Sequence, residues 1–225
     1  MDYKNKYLKY KQKYLDLKKQ TAGVYIGKSK DGSLIDIPDL MYYKETAKNW
    51  SIKQAVKFSQ ISSDTRRFVA AMPWDFYNES IPNGMSLNQF SHLFPNAVGL
   101  CIARRLYIVD ADFQALASMP KLKKFDMSFC NQPTITDAAF THFTNLTSLD
   151  MDYCNQPTIT DNAFTHLINL KRLNMNYCNQ PTITDAAFTP ILRANLVYLS
   201  MTGCDQDTIT RDMLNQLSNI DFFRD

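Results

Sequence analysis

Several kinds of sequence feature are missing from this chain of 225 residues. No apolar run approaches the ~20 residues that a transmembrane helix needs, and the lysine-rich start lacks the apolar stretch of a secretory signal. The nucleotide-binding and hydrolase patterns G-x-x-x-x-G-K-[ST], G-x-G-x-x-G, G-x-S-x-G and H-E-x-x-H are also missing. From these absences we expect a soluble, non-secreted protein that is not an enzyme.

Charge and cysteine are unevenly distributed along the chain. Residues 1–20 contain seven lysines and two aspartates, whereas the whole chain has a net charge of only +3. The basic character therefore belongs to an N-terminal arm and not to the folded body. The five cysteines are an odd number and mostly recur at one repeat position, which favours a reducing compartment over a disulfide framework. We expect an intracellular, cytoplasmic protein.

An internal repeat occupies residues 122–210. The line CNQPTIT, or its looser copy CDQDTIT, begins at Cys130, Cys154, Cys178 and Cys204, so successive copies start 24, 24 and 26 residues apart. A period of about 20–29 residues is typical of leucine-rich repeats, in which each unit is a short strand plus a return segment. Since a single unit cannot bury its apolar face, the units must stack. The sequence therefore predicts an α/β leucine-rich-repeat solenoid of short parallel strands with return helices, preceded by a small helical region.

The remaining segments have distinct compositions. Residues 1–20 carry a tyrosine and leucine stripe at helical spacing, which predicts a basic helical arm. The glycines of residues 21–36 predict a linker or a short hairpin. Residues 37–80 show helical patterns with serine caps. Residues 81–225 are assigned to the solenoid, with a degenerate first repeat at 97–119.

Within a repeat, strand alternation separates core positions from surface positions. Leu173 and Met175 point inward, so Arg172 and Asn174 point outward. Cys178 follows the strand, and cysteines one repeat apart form a straight column with about 4.8 Å between neighbours. A zinc site needs ligands that converge on one point, so we expect each thiol to be a small buried group that donates weakly to a loop carbonyl. No metal or cofactor is expected.

The outward strand positions are the candidate protein-binding surface on the concave face. Asp126 and Asp150 are predicted to be lateral neighbours, a like-charge pair that Lys124 and Arg172 can offset. An ordinary solvated strand face has the same polarity, but a polar face with tyrosine and arginine anchors is typical of a protein–protein interface. The predicted partner is a protein, not nucleic acid or a membrane. The candidate residues are Lys124, Asp126, Ser148, Asp150, Asp152, Arg172, Asn174, Asn176 and Tyr198.

The repeats resemble a known class of leucine-rich repeat. Their pattern L-x-x-L-x-M-x-x-C-…-I-T-D-x-A-F is similar to the cysteine-containing class, which is characteristic of F-box/leucine-rich-repeat proteins, and the fourth copy departs from it at Arg211. The matching positions are Cys130, Ile135, Thr136, Asp137, Cys154, Ile159, Thr160, Asp161, Cys178, Ile183, Thr184 and Asp185.

The stretch before the solenoid resembles an F-box. Ile37-Pro38-Asp39 stands where that motif has Leu-Pro-Asp/Glu, and the segment from Ile52 to Phe68 resembles its second and third helices. The resemblance implies a substrate receptor whose residues Ile37, Pro38, Ile52, Val56 and Phe68 dock an adaptor of a cullin–RING ubiquitin ligase. The alternative is a leucine-rich-repeat scaffold, such as a virion or host-interaction protein, whose N-terminal helices only cap the solenoid.

A second resemblance concerns the arm. Its segment KYLKYKQKYLDLK resembles N-terminal segments found on many proteins of giant DNA viruses of amoebae. The resemblance implies a viral protein, for which the expected reducing compartment is the cytoplasm of an infected host cell.

Overall fold

A computed structural model of the chain divides into two compact units, Met1–Met72 and Pro73–Asp225. The predicted arm, the predicted linker and the start of the F-box-like region, including Ile37 and Pro38, lie outside the described residues. The described residues are 47–60, 63–193, 196–216 and 221–223.

Two helices form most of the described part of the first unit. They are α1 (Ile52–Ser59) and α2 (Ser63–Ala71). Ser51 caps α1 as predicted, because its hydroxyl accepts a hydrogen bond from the Gln54 backbone N–H at 3.3 Å. The Gln54 side chain in turn accepts from the Ser51 N–H at 2.8 Å, which completes a capping box. The rings of Phe58 on α1 and Phe68 on α2 meet edge to face, 5.9 Å apart, so the helices share an apolar contact.

The second unit is built on a seven-stranded parallel sheet whose strands follow one another in chain order. The strands are β1 (Asp75–Ser80), β2 (Gly99–Cys101), β3 (Lys124–Asp126), β4 (Ser148–Asp150), β5 (Arg172–Asn174), β6 (Tyr198–Ser200) and β7 (Asp221–Phe223). Pairing is regular from β2 onward, while the register of β1 against β2 shifts between Asp75 and Ser80. The sheet thus begins at Asp75, before residue 81, where the sequence placed the start of the solenoid.

Short helices return the chain from one strand to the next. They are α3 (Leu87–Leu93), the 3-10 helix η1 (Asp110–Ser118), α4 (Asp137–Phe140), α5 (Asp161–Phe164), the 3-10 helix η2 (Asp185–Ala187), α6 (Phe188–Arg193) and α7 (Arg211–Gln216). Ser86 caps α3 with a second capping box. In the described ranges every helix is too short or too polar to span a bilayer.

Columns of identical positions form the core of the second unit. The central strand residues Phe125, Leu149, Leu173 and Leu199 are all fully buried. The methionines two residues later and the return-helix phenylalanines are equally inaccessible, and each such burial stabilises the fold by about 1.5–3 kcal/mol. The column members are Met127, Met151, Met175, Met201, Phe140, Phe164 and Phe188. The solenoid predicted from the repeat period is confirmed by this register and packing.

The repeat cysteines join each repeat to the one before it. All are buried free thiols. The Sγ of Cys154 donates to the Met127 carbonyl at 3.2 Å, and that of Cys178 donates to the Met151 carbonyl at 3.0 Å. Burial raises the pKa of Cys130 to about 11, so that thiol stays protonated and able to donate at neutral pH. The predicted role of the thiols, weak donation to a loop carbonyl, is confirmed.

The Thr-Asp pair of each repeat also has a structural role. Thr184 caps its own return helix, since its hydroxyl accepts from the Ala186 N–H at 3.2 Å. Both the backbone N–H and the hydroxyl of Thr184 donate to Asp161 of the preceding repeat, each at 2.7 Å. Asp185 accepts from Thr210 of the next repeat in the same way, at 2.8 and 2.6 Å. The threonine therefore caps the return helix of its own repeat, and the aspartate links neighbouring repeats.

Candidate binding face

One face of the sheet carries the polar side chains that the sequence singles out. In β3 to β6 the central residue is buried, and its two neighbours point outward. Parallel register aligns these neighbours in two rows across the strands. The first row is Lys124, Ser148, Arg172 and Tyr198, and the second is Asp126, Asp150, Asn174 and Ser200. We call these rows, with Asp152 and Asn176 just beyond them, the strand face.

The cations of the first row have separate partners. The Lys124 Nζ lies 2.7 Å from the Asp75 Oδ2 on β1, an ion pair between two part-exposed side chains. The guanidinium of Arg172 lies over the ring of Tyr198, with its central carbon 4.1 Å from the ring centroid. The partner of Lys124 is thus Asp75, and not the aspartate pair that the sequence suggested.

The second row is held together by hydrogen bonds. Asp126 lies opposite Asp150 in the register, as predicted. The Ser128 hydroxyl lies between them, 2.6 Å from the Asp126 Oδ1 and 2.9 Å from the Asp150 Oδ1. The Asn174 side-chain amide donates to both Asp150 oxygens at 3.1 Å, and the Asp152 backbone N–H donates at 3.0 Å. Neutral donors therefore stabilise a like-charge pair that would otherwise destabilise the sheet.

The Asp152 carboxyl has an unusual environment. Desolvation, followed by the charges of Asp150 and Asp126, raises its pKa from 3.8 to about 6. Its Oδ1 is buried and has no hydrogen-bond donor among the described residues. The neighbouring Asn176 is better satisfied, because its Oδ1 accepts from the Ser200 hydroxyl at 2.6 Å. The charge at Asp152 is therefore the most pH-sensitive feature resolved on the strand face.

A groove crosses the strand face and includes a residue that the sequence analysis did not select. The cavity has a volume of about 480 Å³, and Tyr77 of β1 lines it together with Ser148, Asp150 and Arg172. Burial, reinforced by the Asp150 charge, raises the pKa of Tyr77 to about 12, so its hydroxyl stays protonated beside Ser148. Tyr77 was missed because residues 37–80 were expected to be helical. The alternation of buried Phe76 with more exposed neighbours is the strand signal that could have identified it.

Aromatic rings form a column along one side of the strand face. Phe129 stacks on Tyr153 with ring centroids 4.6 Å apart, and Tyr153 stacks on Tyr177 at 4.5 Å. All three residues have left-handed backbone conformations with φ between 53° and 61°. Arg104 covers Phe129 at one end of the column, and Gly203 meets Tyr177 at the other. The parallel spacing of the repeats thus accounts for the stack without any ligand.

The residues proposed for adaptor docking lie mainly in the interior of the first unit. Ile52 is fully buried, Phe68 is 6% exposed, and Val56 is half-buried. Ile37 and Pro38 lie outside the described residues. Of the described candidates, Val56 is therefore the most accessible to an adaptor.

Comparison with known proteins finds solved structures that are similar to part of this chain. No protein-family model and no curated protein matches the chain. A solved complex of TLR13 with ssRNA13 is 18% identical, with a TM-score of 0.47, and the match covers 62% of this chain and 20% of that one. The Drosophila Toll–Spatzle complex is 15% identical, with a TM-score of 0.42, and the match covers 52% of this chain and 18% of that one.

The match therefore spans about a fifth of the length of each of these proteins. At such low identity they indicate nothing about what this chain binds. The assignment of the second unit to the leucine-rich-repeat fold follows from its own parallel register and from the contacts between its repeats.

Proposed function

We propose that this chain is a non-enzymatic protein-interaction module that binds a protein target on its strand face. The observation that carries the proposal is that contacts within the chain already hold the polar side chains of that face in place. Arg172 is held against Tyr198, and Asp150 is held by Asn174 and Ser128, before any partner arrives. Side chains that are already ordered lose less conformational entropy on binding. A groove of about 480 Å³ between them provides a concave anchor point.

A protein partner fits this face better than nucleic acid does. Asp126, Asp150 and Asp152 interrupt the cations of the first row, so the face offers no continuous basic track for a phosphate backbone. Mixed charge with arginine and tyrosine anchors is instead typical of protein interfaces. A cytoplasmic location and an origin in an amoebal virus remain predictions from the sequence.

The test is a selection of binders from a random peptide library on the folded chain. Selected peptides should bind wild type and lose binding to Ser148→Tyr, which places a large ring in the groove. The matched control is Asn162→Tyr, at an exposed position on α5. Circular dichroism must show that both variants are folded. Peptides that bind wild type and Ser148→Tyr equally well would show that the strand face is not the binding surface.

We propose the F-box role as a second candidate function of the first unit. Support comes from the Ser51-capped helix pair, α1 and α2, and from the partial exposure of Val56. Purified cullin-ligase adaptor should bind the full chain, and Val56→Glu should weaken that binding. Lys57→Glu, at the exposed neighbouring position, is the control. If folded wild-type protein binds no adaptor, the F-box proposal is wrong and the scaffold alternative stands.

A further inference from the structure

The charges of the strand face are divided along the strands. Lys124, Lys171 and Arg172 lie at the N-terminal end of β3 and β5, whereas Asp126 and Asp150 lie at the C-terminal end of β3 and β4. Lys124 and Arg172 lie two residues before the aspartate row along a strand, which corresponds to about 6.6 Å. The groove extends over both ends, since Lys124, Lys171 and Arg172 line it together with Asp150.

The acidic end has little capacity left for a basic partner. Asp150 already accepts hydrogen bonds from Ser128, Asn174 and the backbone of Asp152. Asp126 accepts from the Ser128 backbone N–H at 2.9 Å and from the Cys101 thiol at 3.2 Å, and it shares the single Ser128 hydroxyl proton with Asp150. A lysine from a partner would have to compete with these donors. A basic partner would therefore gain little from the acidic end of the groove.

The basic end is different because of Arg172. Lys124 is neutralised by Asp75 at 2.7 Å, but no carboxylate among the described residues forms an ion pair with Arg172. Its guanidinium carbon lies 4.1 Å from the centroid of the Tyr198 ring, a cation–π contact that does not use the N–H groups as donors to a carboxylate. A guanidinium held in this way presents parallel donors that match the two oxygens of a carboxylate.

We propose that the groove binds an acidic peptide segment of the protein target, with an aspartate or glutamate side chain on Arg172. This inference rests on the proposed function and adds the chemistry of the partner. Lys171 also lines this end of the groove, and Tyr77 contributes a hydroxyl that stays protonated. A volume of about 480 Å³ accommodates a few side chains of an extended segment and not a folded domain.

The experiment uses the peptides selected on the wild-type chain. Those that depend on the groove, as shown by loss of binding to Ser148→Tyr, should be enriched in aspartate or glutamate at one position. For one such peptide, affinity is measured by fluorescence anisotropy against wild type, Arg172→Gln, Arg172→Lys and the control Arg211→Gln on α7. Each measurement is repeated with the acidic residue of the peptide changed to its amide.

Arg172→Gln should weaken the binding of the acidic peptide by about tenfold to a hundredfold, as expected for loss of a charge-assisted hydrogen-bond pair. Arg172→Lys should recover only part of that loss, because an ammonium does not reproduce the planar fork. Arg211→Gln should have no effect, and the amide peptide should bind wild type and Arg172→Gln equally weakly.

Two results would overturn the inference while leaving the proposed function intact. One is a set of groove-dependent peptides that are neutral or basic. The other is an equal effect of Arg172→Gln on the acidic peptide and on its amide, which would mean that Arg172 does not contact the carboxylate. If no selected peptide depends on the groove, the proposed function itself fails.

Discussion

Gly203 is a position where a single added methyl group should destabilise the fold for two separate reasons. Its φ is +68°, a left-handed conformation that costs an alanine about 1–2 kcal/mol. A Cβ at this position would also lie 2.4 Å from two ring carbons of Tyr177, so that ring would have to move. Overpacking of this kind costs about 1–3 kcal/mol. Gly203→Ala should therefore destabilise the fold by about 2–5 kcal/mol in total.

A double-mutant cycle separates the two contributions. The free energy of unfolding is measured by urea denaturation, followed by circular dichroism, for wild type, Gly203→Ala, Tyr177→Ala and the double variant. Without the Tyr177 ring, Gly203→Ala should cost only the backbone contribution of about 1–2 kcal/mol. An equal cost in both backgrounds would refute the steric argument. A change of less than about 0.5 kcal/mol in the wild-type background would refute the backbone argument as well.

The contacts within and between repeats lead to three more predictions. Cys154→Ala should cost about 1–3 kcal/mol in urea denaturation, as a small core truncation does, and elemental analysis should show no stoichiometric zinc in either protein. Asp137→Ala removes the acceptor of two hydrogen bonds from Thr160, each 2.7 Å long, and should cost about 1–3 kcal/mol. In the Asp137→Ala background, Thr160→Val should cost only the loss of its cap on α5, about 1 kcal/mol, and full additivity of the two single-variant costs would contradict the link. Because the folded-state pKa of Asp152 is raised to about 6, its contribution to stability is fully present below pH 3.8 and is lost as pH rises through 6. Asp152→Asn should therefore melt at a higher temperature than wild type at pH 7 and at a similar temperature at pH 4, and an unchanged difference across this range would contradict desolvation of the Asp152 carboxylate as the cause.

Much of the repeat architecture could be predicted because it depends on local spacing. The inward positions of Leu173 and Met175 follow from strand alternation, and the cap at Ser86 follows from a serine placed before an apolar helical pattern. The donation by the repeat thiols follows from their buried position at the strand exit. Each of these inferences needs only the residues of one repeat and the fact that the repeats stack.

The candidate site was predicted less completely, because its contacts join distant parts of the chain. Tyr77 enters the groove only because β1 pairs with β2, and the helical interpretation of residues 37–80 concealed that strand. Lys124 pairs with Asp75, 49 residues earlier, although aspartates closer in sequence are available. Which nearby partner a long side chain selects depends on distances that no sequence pattern encodes.

The sequence by itself therefore determined the repeat, the direction of the strand side chains within the repeats and the burial of the thiols. The repeat period and the alternation of buried and exposed strand residues are local properties, and each stacked repeat shows them again along the sheet. Only the tertiary structure decided that Thr184 caps its own helix while Asp185 links to the next repeat, since either side chain is a good cap in isolation. The same holds for Arg172, whose availability to a partner depends on its contact with the Tyr198 ring and on the lack of an ion pair with any carboxylate of the described residues.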